Sequence, residues 1–231
     1  MKQAFIYHFS TETIPSLAEV GGKGLSLIRM SREGFAVPQG FACTAVFFHP
    51  WFKQLHQSGL WTAVLSTHPT KRKAACDAAK AEALGYAFTT EQRDALDAAM
   101  EVLMETPALS AAETPALSAA EVSVSTFAVR SSSPEEDLDG ASFAGGYETS
   151  LGVTRNNIEE AIRHSFVSCL DERVFVYKQE RGFDVAQPRI AVVVQAQIAA
   201  DAAGVAFSLN PLNNCYDEVV INANFGLGES V

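Results

Sequence analysis

Positive charge is in short supply: 17 Lys and Arg stand against 27 Asp and Glu, a formal net charge of −10. A surface this acidic repels nucleic-acid phosphates, so non-specific binding to nucleic acid is disfavoured. Any anion site must then be local, built from a few placed cations and backbone amides. The four cysteines, Cys43, Cys76, Cys169 and Cys215, form no CxxC pair. Zinc-ligand spacing is therefore lacking, and a chain of 231 residues with 48% apolar residues has no need of a disulfide framework. The cysteines read as reduced, partly buried small hydrophobes. None of the five histidines has metal spacing with Cys, Asp or Glu. No segment approaches the roughly 20 apolar residues that span a bilayer. The opening MKQAFIYHFSTET lacks a long apolar run and does not read as a signal peptide, so the expectation is a cytoplasmic protein without a membrane partner.

What is present is a mixture of periods. Phe5 to Phe9 read as a first strand. GGKGLSLIRMSREGF reads as a Gly-rich turn opening a helix from about Lys23 to Glu33, with Leu25 and Ile28, and Leu27 and Met30, at three-residue spacing. Gly34 stands where a C-terminal cap belongs, and Pro38 prevents the helix resuming. AVFFHPWFKQL predicts a helix interrupted or started near Pro50. TTEQRDALDAAMEVLME is a clearer helix, with Thr89 and Gln92 as a capping box and Leu96, Met100 and Leu103 as its stripe. ETPALSAA then occurs twice, at 105–112 and 113–120, and reads as a surface linker lengthened by duplication.

After the linker VSTFAVRS predicts a strand. Asn156 and Glu159 resemble a capping box before a helix carrying Ile158, Ala161, Ile162, Phe166 and Cys169, and DERVFVYKQERG predicts a second helix ending at Gly182. IAVVVQAQI is a continuous apolar run, as in a strand covered on both faces. GVAFSLN and EVVINANF follow as two more strands. The fold class expected is α/β or α+β. The sequence stops at NFGLGESV, just after a strand, and is expected to be part of a longer protein.

Three stretches could hold an anion. In Gly21-Gly22-Lys23-Gly24 the glycines allow close backbone approach, the helix points its positive end there, and a lysine is a mobile point charge suited to phosphate. It is not a Walker A loop, because Lys23 is followed by Gly rather than Ser or Thr. The alternative is a flexible turn with a solvated lysine. Arg130 stands at the polar end of its strand, where a guanidinium fork grips phosphate oxygens in pairs and Ser131, Ser132 and Ser133 add hydroxyl donors. The alternative pairs Arg130 with Glu135, Glu136 or Asp137. GASFAGGYETS, with Gly140, Gly145 and Gly146 around Ala141, Ser142 and Ala144, can form a concave nest of amides beside the Thr149 hydroxyl, or a plain Gly-rich hairpin. The final GLGESV lacks the third glycine of a dinucleotide fingerprint, and His68 reads as a loop histidine.

These pieces occur together in a known order. VGGKGLSLIRMSREGFAVPQGFACTAVFF, FAVRSSSPEEDLDGASFAGGYETSLGV, VVVQAQIAADAAGVAFSLNP and NFGLGESV strongly resemble the N-terminal nucleotide-binding domain of the phosphoenolpyruvate-utilising enzymes. That family includes phosphoenolpyruvate synthase, pyruvate phosphate dikinase and rifampin phosphotransferase. The likeness covers nearly the whole chain except about residues 55–120.

The resemblance implies an ATP-grasp fold, with an N-terminal lobe over residues 1–187 and the start of a second lobe over 188–231. It implies that Lys23 and Arg130 bind the ATP phosphates and act in catalysis, with Gly22 beside them. Ser142, Gly145, Gly146 and Thr149 would belong to a loop closing over the nucleotide, and Gln195, Gln197 and Ile198 to a hinge strand meeting adenine. In the family, ATP phosphorylates a histidine on a swivelling domain, which carries the group to pyruvate or another small acceptor on a third domain. The Mg²⁺ ligands and that histidine would lie beyond residue 231. The chain alone is then expected to bind ATP weakly or not at all and not to turn over. The leading expectation is a phosphoenolpyruvate synthase-like enzyme; the alternative is the same ATP module in a rifampin phosphotransferase-like or small-molecule ligase enzyme, or in a nucleotide-binding module without catalysis.

Overall fold

The computed structural model describes residues 4–105, 126–135 and 148–228. The chain divides into two compact units, Met1–Ala196 and Gln197–Val231. The first is built on a five-stranded sheet: β1 (Ile6–His8), β2 (Gly40–Cys43), β3 (Phe127–Ser132), β4 (Thr149–Val153) and β5 (Ala191–Ala196). Their spatial order is β1-β2-β5-β3-β4, and every pairing is antiparallel. A sheet whose pairings are all antiparallel is not the parallel sheet of the α/β class, which leaves α+β of the two expected classes.

β5 is the centre of this sheet. Its six residues are all buried, and it pairs with β2 through Val192–Gln195 and with β3 through Ala191–Ala196. A strand hydrogen-bonded on both edges and covered on both faces needs no polar alternation, which is why VVV sits there. Residues 188–196 precede the division, so β5 belongs to the first unit.

Alternation along the strands separates two faces. Phe41, Cys43, Phe127, Val129, Val192 and Val194 face the large core. That core is closed by α2 (His49–Gln57), α3 (Leu60–Ser66), α4 (Pro69–Ala83), α5 (Thr90–Glu105), α6 (Ile158–Val167) and α7 (Glu172–Glu180). Phe166 is its hub, stacked on Phe48 at 5.4 Å and edge-on to Trp51 at 5.0 Å. Ala42 and Val193 face the opposite way, into a smaller cluster with Phe9 and with Val20 and Ile28 of α1 (Leu17–Arg32).

Local sequence explains most helix ends. Thr89 and Gln92 form the expected reciprocal cap: Thr89 N donates to Gln92 Oε1 at 2.9 Å, and Gln92 N donates to Thr89 Oγ1 at 3.2 Å. Gly34 and Gly182, both at positive φ, close α1 and α7 by the same double return. Phe35 N reaches Met30 O and Phe183 N reaches Lys178 O, while each glycine amide reaches the third residue before it. Two expectations need correction. The cap before α6 is Thr154 with Asn157, not Asn156 with Glu159, because Asn157 Oδ1 accepts from Thr154 N at 2.6 Å and starts the turn two residues earlier. On α1 the buried stripe is Val20, Gly24 and Ile28, while Met30 is exposed. His68 lies in the loop before α4, as expected, and caps that helix, its Nδ1 accepting from Thr70 N.

In the second unit the two late apolar runs form the two expected strands, β6 (Ala202–Phe207) and β7 (Val220–Phe225), which pair antiparallel. Residues 106–120, which carry nearly all of the ETPALSAA duplication, lie outside the described residues.

The thiols follow from this packing. Cys43, Cys76 and Cys169 are buried, and Cys215 is partly exposed. Burial pushes the Cys76 thiol up to about 11 and Cys169 to about 12, and raises Cys43 as well. At pH 8 a thiol-reactive dye is expected to titrate Cys215 quickly and the other three only on unfolding. A second fast equivalent would contradict this packing.

Candidate functional site

Within α1 the helix is broken at one residue. Gly21 has φ 70° and ψ 176°, so a short turn, Leu17–Val20, meets the longer helical run at a kink. Both features of glycine are used there. Its φ lies in the left-handed region, and a Cβ would stand 2.1 Å from the carbonyl oxygen of Ser132 and 2.4 Å from its Oγ. Backbone meets backbone at this point, where α1 crosses the end of β3.

Hydrogen bonds lock the crossing. Ser132 Oγ donates to Val20 O at 2.8 Å and accepts from Gly24 N at 3.1 Å. Gly22 N approaches Ser133 O at 3.5 Å. Ser132 is fully buried, as is Ser133. This corrects the expectation that the three serines offer hydroxyls to a ligand. Ser131 Oγ donates to Glu148 O at 3.3 Å, Ser132 to Val20 and Ser133 to Glu135 Oε2 at 3.2 Å. The Ser132 hydroxyl and the Ser133 carbonyl hold the glycine motif against the strand, and the Gly22 and Gly24 amides are directed at it.

Arg130 lies inside β3 rather than at its tip, directly opposite Val193 of β5 and Thr149 of β4. Residues opposite one another share a face, and so do residues two apart. Arg130 and Thr149 therefore face the α1 side with Val193, and Gln195 is on that side too. Gln195 is buried, its Nε2 donating to Pro38 O at 3.0 Å. Lys23, half-buried, sits between Gly22 and Gly24, the residues clipped to Ser133 and Ser132. Ser132 is two residues from Arg130, roughly 7 Å along the strand. The alternative pairing of Arg130 with Glu135 does not occur: Glu135 pairs instead with Lys178 of α7 at 2.6 Å, and no carboxylate among the described residues pairs with Arg130.

Gly22, Lys23, Arg130, Thr149 and Gln195 thus gather on the α1 side of one sheet. Gln197 and Ile198 fall in the second unit, with Ile198 exposed. Ser142, Gly145 and Gly146, with Glu136 and Asp137, lie outside the described residues. A groove of about 750 Å³ lined by Ser16, Glu19, His49, Phe52, His56 and Arg189, among others, includes none of these motif residues. Sequence reasoning missed Gly21 and Ser132 as the fastening of the motif. The signal for Gly21 was a glycine pair inside an otherwise helical pattern, which calls for a packing reason.

The α+β sheet thus carries Arg130 on the face that α1 covers, and the glycine motif with Lys23 is fastened to the end of the same strand. The family profile for the pyruvate phosphate dikinase AMP/ATP-binding domain matches residues 17–231, and the chain belongs to that family. It is 34% identical to a probable phosphoenolpyruvate synthase of Methanocaldococcus jannaschii, over 91% of this chain and 17% of that protein. It is 34% identical to a rifampicin phosphotransferase of Streptomyces, over 93% of this chain and 24% of that protein, and 29% identical to the phosphoenolpyruvate synthase of Pyrococcus furiosus, over 100% and 31%. The chain therefore spans less than a third of the length of these relatives. Among the described residues, no helix is long and apolar enough to cross a membrane.

Proposed function

We propose that the chain is the ATP-binding portion of a phosphotransferase resembling phosphoenolpyruvate synthase, with an ATP-grasp arrangement of an N-terminal lobe and the beginning of a second. The observation that carries this is the clip of Gly22 and Gly24 onto Ser133 and Ser132, which brings Lys23 to the face bearing Arg130. In this reading the Arg130 fork holds phosphate oxygens in pairs, and Lys23 neutralises the same triphosphate as a point charge. Catalysis is then electrostatic: fixed cations stabilise charge on the group in transfer and hold it in line. Ser142, Gly145, Gly146 and Thr149 close over the phosphates, and Gln195, Gln197 and Ile198 border the adenine.

Among the described residues no three His, Cys, Asp or Glu side chains are grouped to hold a metal; in this reading the Mg²⁺ that accompanies ATP takes its protein ligands from elsewhere in the full-length protein. The phosphoryl group passes to a histidine and then an acceptor on other domains of the full-length protein, in the cytoplasm. Identity is 34% both to the probable phosphoenolpyruvate synthase of Methanocaldococcus jannaschii and to the rifampicin phosphotransferase of Streptomyces, so the proposal commits to ATP and leaves the acceptor to those domains. The test is labelling of the full-length protein with radioactive ATP. Acid-labile phosphate on a histidine outside residues 1–231 is expected; label on Ser or Thr, or none, would overturn the reading.

A further inference from the structure

Lys178 is the most deeply buried cation among the described residues, 3% exposed, and it projects from α7 to Glu135. The contact, 2.6 Å from Nζ to Oε2, is an ion pair rather than a well-directed hydrogen bond, and no other acceptor reaches the ammonium among the described residues. Cys169 lies beside the pair. Burial raises its thiol, with Lys178 pulling it down and Glu135 pushing it up. A buried ion pair is a poor stabilising device, since two apolar side chains of the same volume commonly hold a fold as well or better. Its use must then be sought in what it positions.

Glu135 is the last described residue of the segment that leaves β3. From it a chain of contacts runs back to the glycine motif. Ser133 Oγ donates to Glu135 Oε2 at 3.2 Å and accepts from Glu135 N at 3.3 Å. The carbonyl of Ser133 faces Gly22 N, and Ser132 grips Val20 and Gly24. We propose that Lys178 and Glu135 are positioning residues: their ion pair holds the end of β3 and so fixes the spacing between Lys23 and Arg130. The inference deepens the ATP reading of this site and rests on it for its functional half. Its structural half stands by itself.

The test uses the 231-residue chain and the double variant Lys178→Met with Glu135→Leu, which removes the pair without leaving a lone buried charge. The variant is expected to melt at or above the wild-type temperature. Hydrogen exchange at the Gly22 and Gly24 amides is nonetheless expected to rise by roughly tenfold, with α6 amides unchanged, because only the fastening is loosened. Amide shifts induced by Mg-ATP at residues 21–24 and 130–133 should weaken together. Unchanged exchange at Gly22 and Gly24 in a folded variant would overturn the proposal. If the double variant does not fold, Lys178→Arg, which keeps the charge, must retain wild-type exchange; faster exchange there would also overturn it. Failure of the ATP reading looks different: the full-length protein then shows no ATP-dependent phosphohistidine, while the exchange comparison still reads the clip.

Discussion

Replacing Gly21 by Ala is expected to lower the melting temperature by roughly 6–12 °C, the consequence of about 3 kcal/mol in a chain of this size. Two costs add. A non-glycine residue at φ 70° gives up about 1 kcal/mol in backbone strain. The new methyl also meets the Ser132 backbone at 2.1 Å, and overpacking of that kind costs roughly 1–3 kcal/mol because neither backbone can yield cheaply. Gly34→Ala is the matched control. Its φ is also positive, 79°, but nothing lies within 4 Å of the added methyl, so only the strain is expected. Thermal melts of the two variants separate clash from strain. Equal losses would mean that the crossing of α1 over β3 is not the tight contact described.

Arg130→Ala in the full-length protein is expected to cut ATP-dependent phosphoryl transfer by roughly 10²–10³-fold, the usual effect of deleting one preorganised charge donor. The fold should survive, since Arg130 is half-buried and no carboxylate among the described residues depends on it. Arg130→Lys restores charge without the planar fork and should recover only part of the rate. Initial rates with a melting curve for each variant make the check. A rate near wild type in Arg130→Ala would remove Arg130 from the phosphate site, and a large loss of stability would assign it to the scaffold.

The sequence is most legible where partners are close along the chain. Thr89 with Gln92, Gly34 after α1 and Gly182 after α7 each form structure with residues within five positions, so pattern and outcome agree. The buried run of β5 was equally plain, because no polar residue interrupts Val192–Val194. Legibility fails with distance. Ser132 reads locally as a spare hydroxyl, yet its partners are Val20 and Gly24, 112 and 108 residues away. Glu135 reads locally as a partner for nearby Arg130 and is taken instead by Lys178. β2 carries no turn signal strong enough to announce it, and Gly40 there is explained only by β5: a Cβ would stand 2.4 Å from Val194 O. The identities of Lys23 and Arg130 as a cationic pair came from motif resemblance. That Arg130 shares a sheet face with Thr149 and Gln195 follows from register, and that Lys23 lies over that side follows from the crossing of α1, neither of which a local pattern encodes.

The most direct measurement is an amide-resolved NMR titration of the 231-residue chain with Mg-ATP, carried to concentrations high enough to detect weak binding. Shifts should appear at both residues 21–24 and residues 130–133, follow a single dissociation constant, and vanish from both segments together in Arg130→Ala. Movement of one segment alone, or two segments titrating with different constants, would mean that these cations do not meet on one nucleotide.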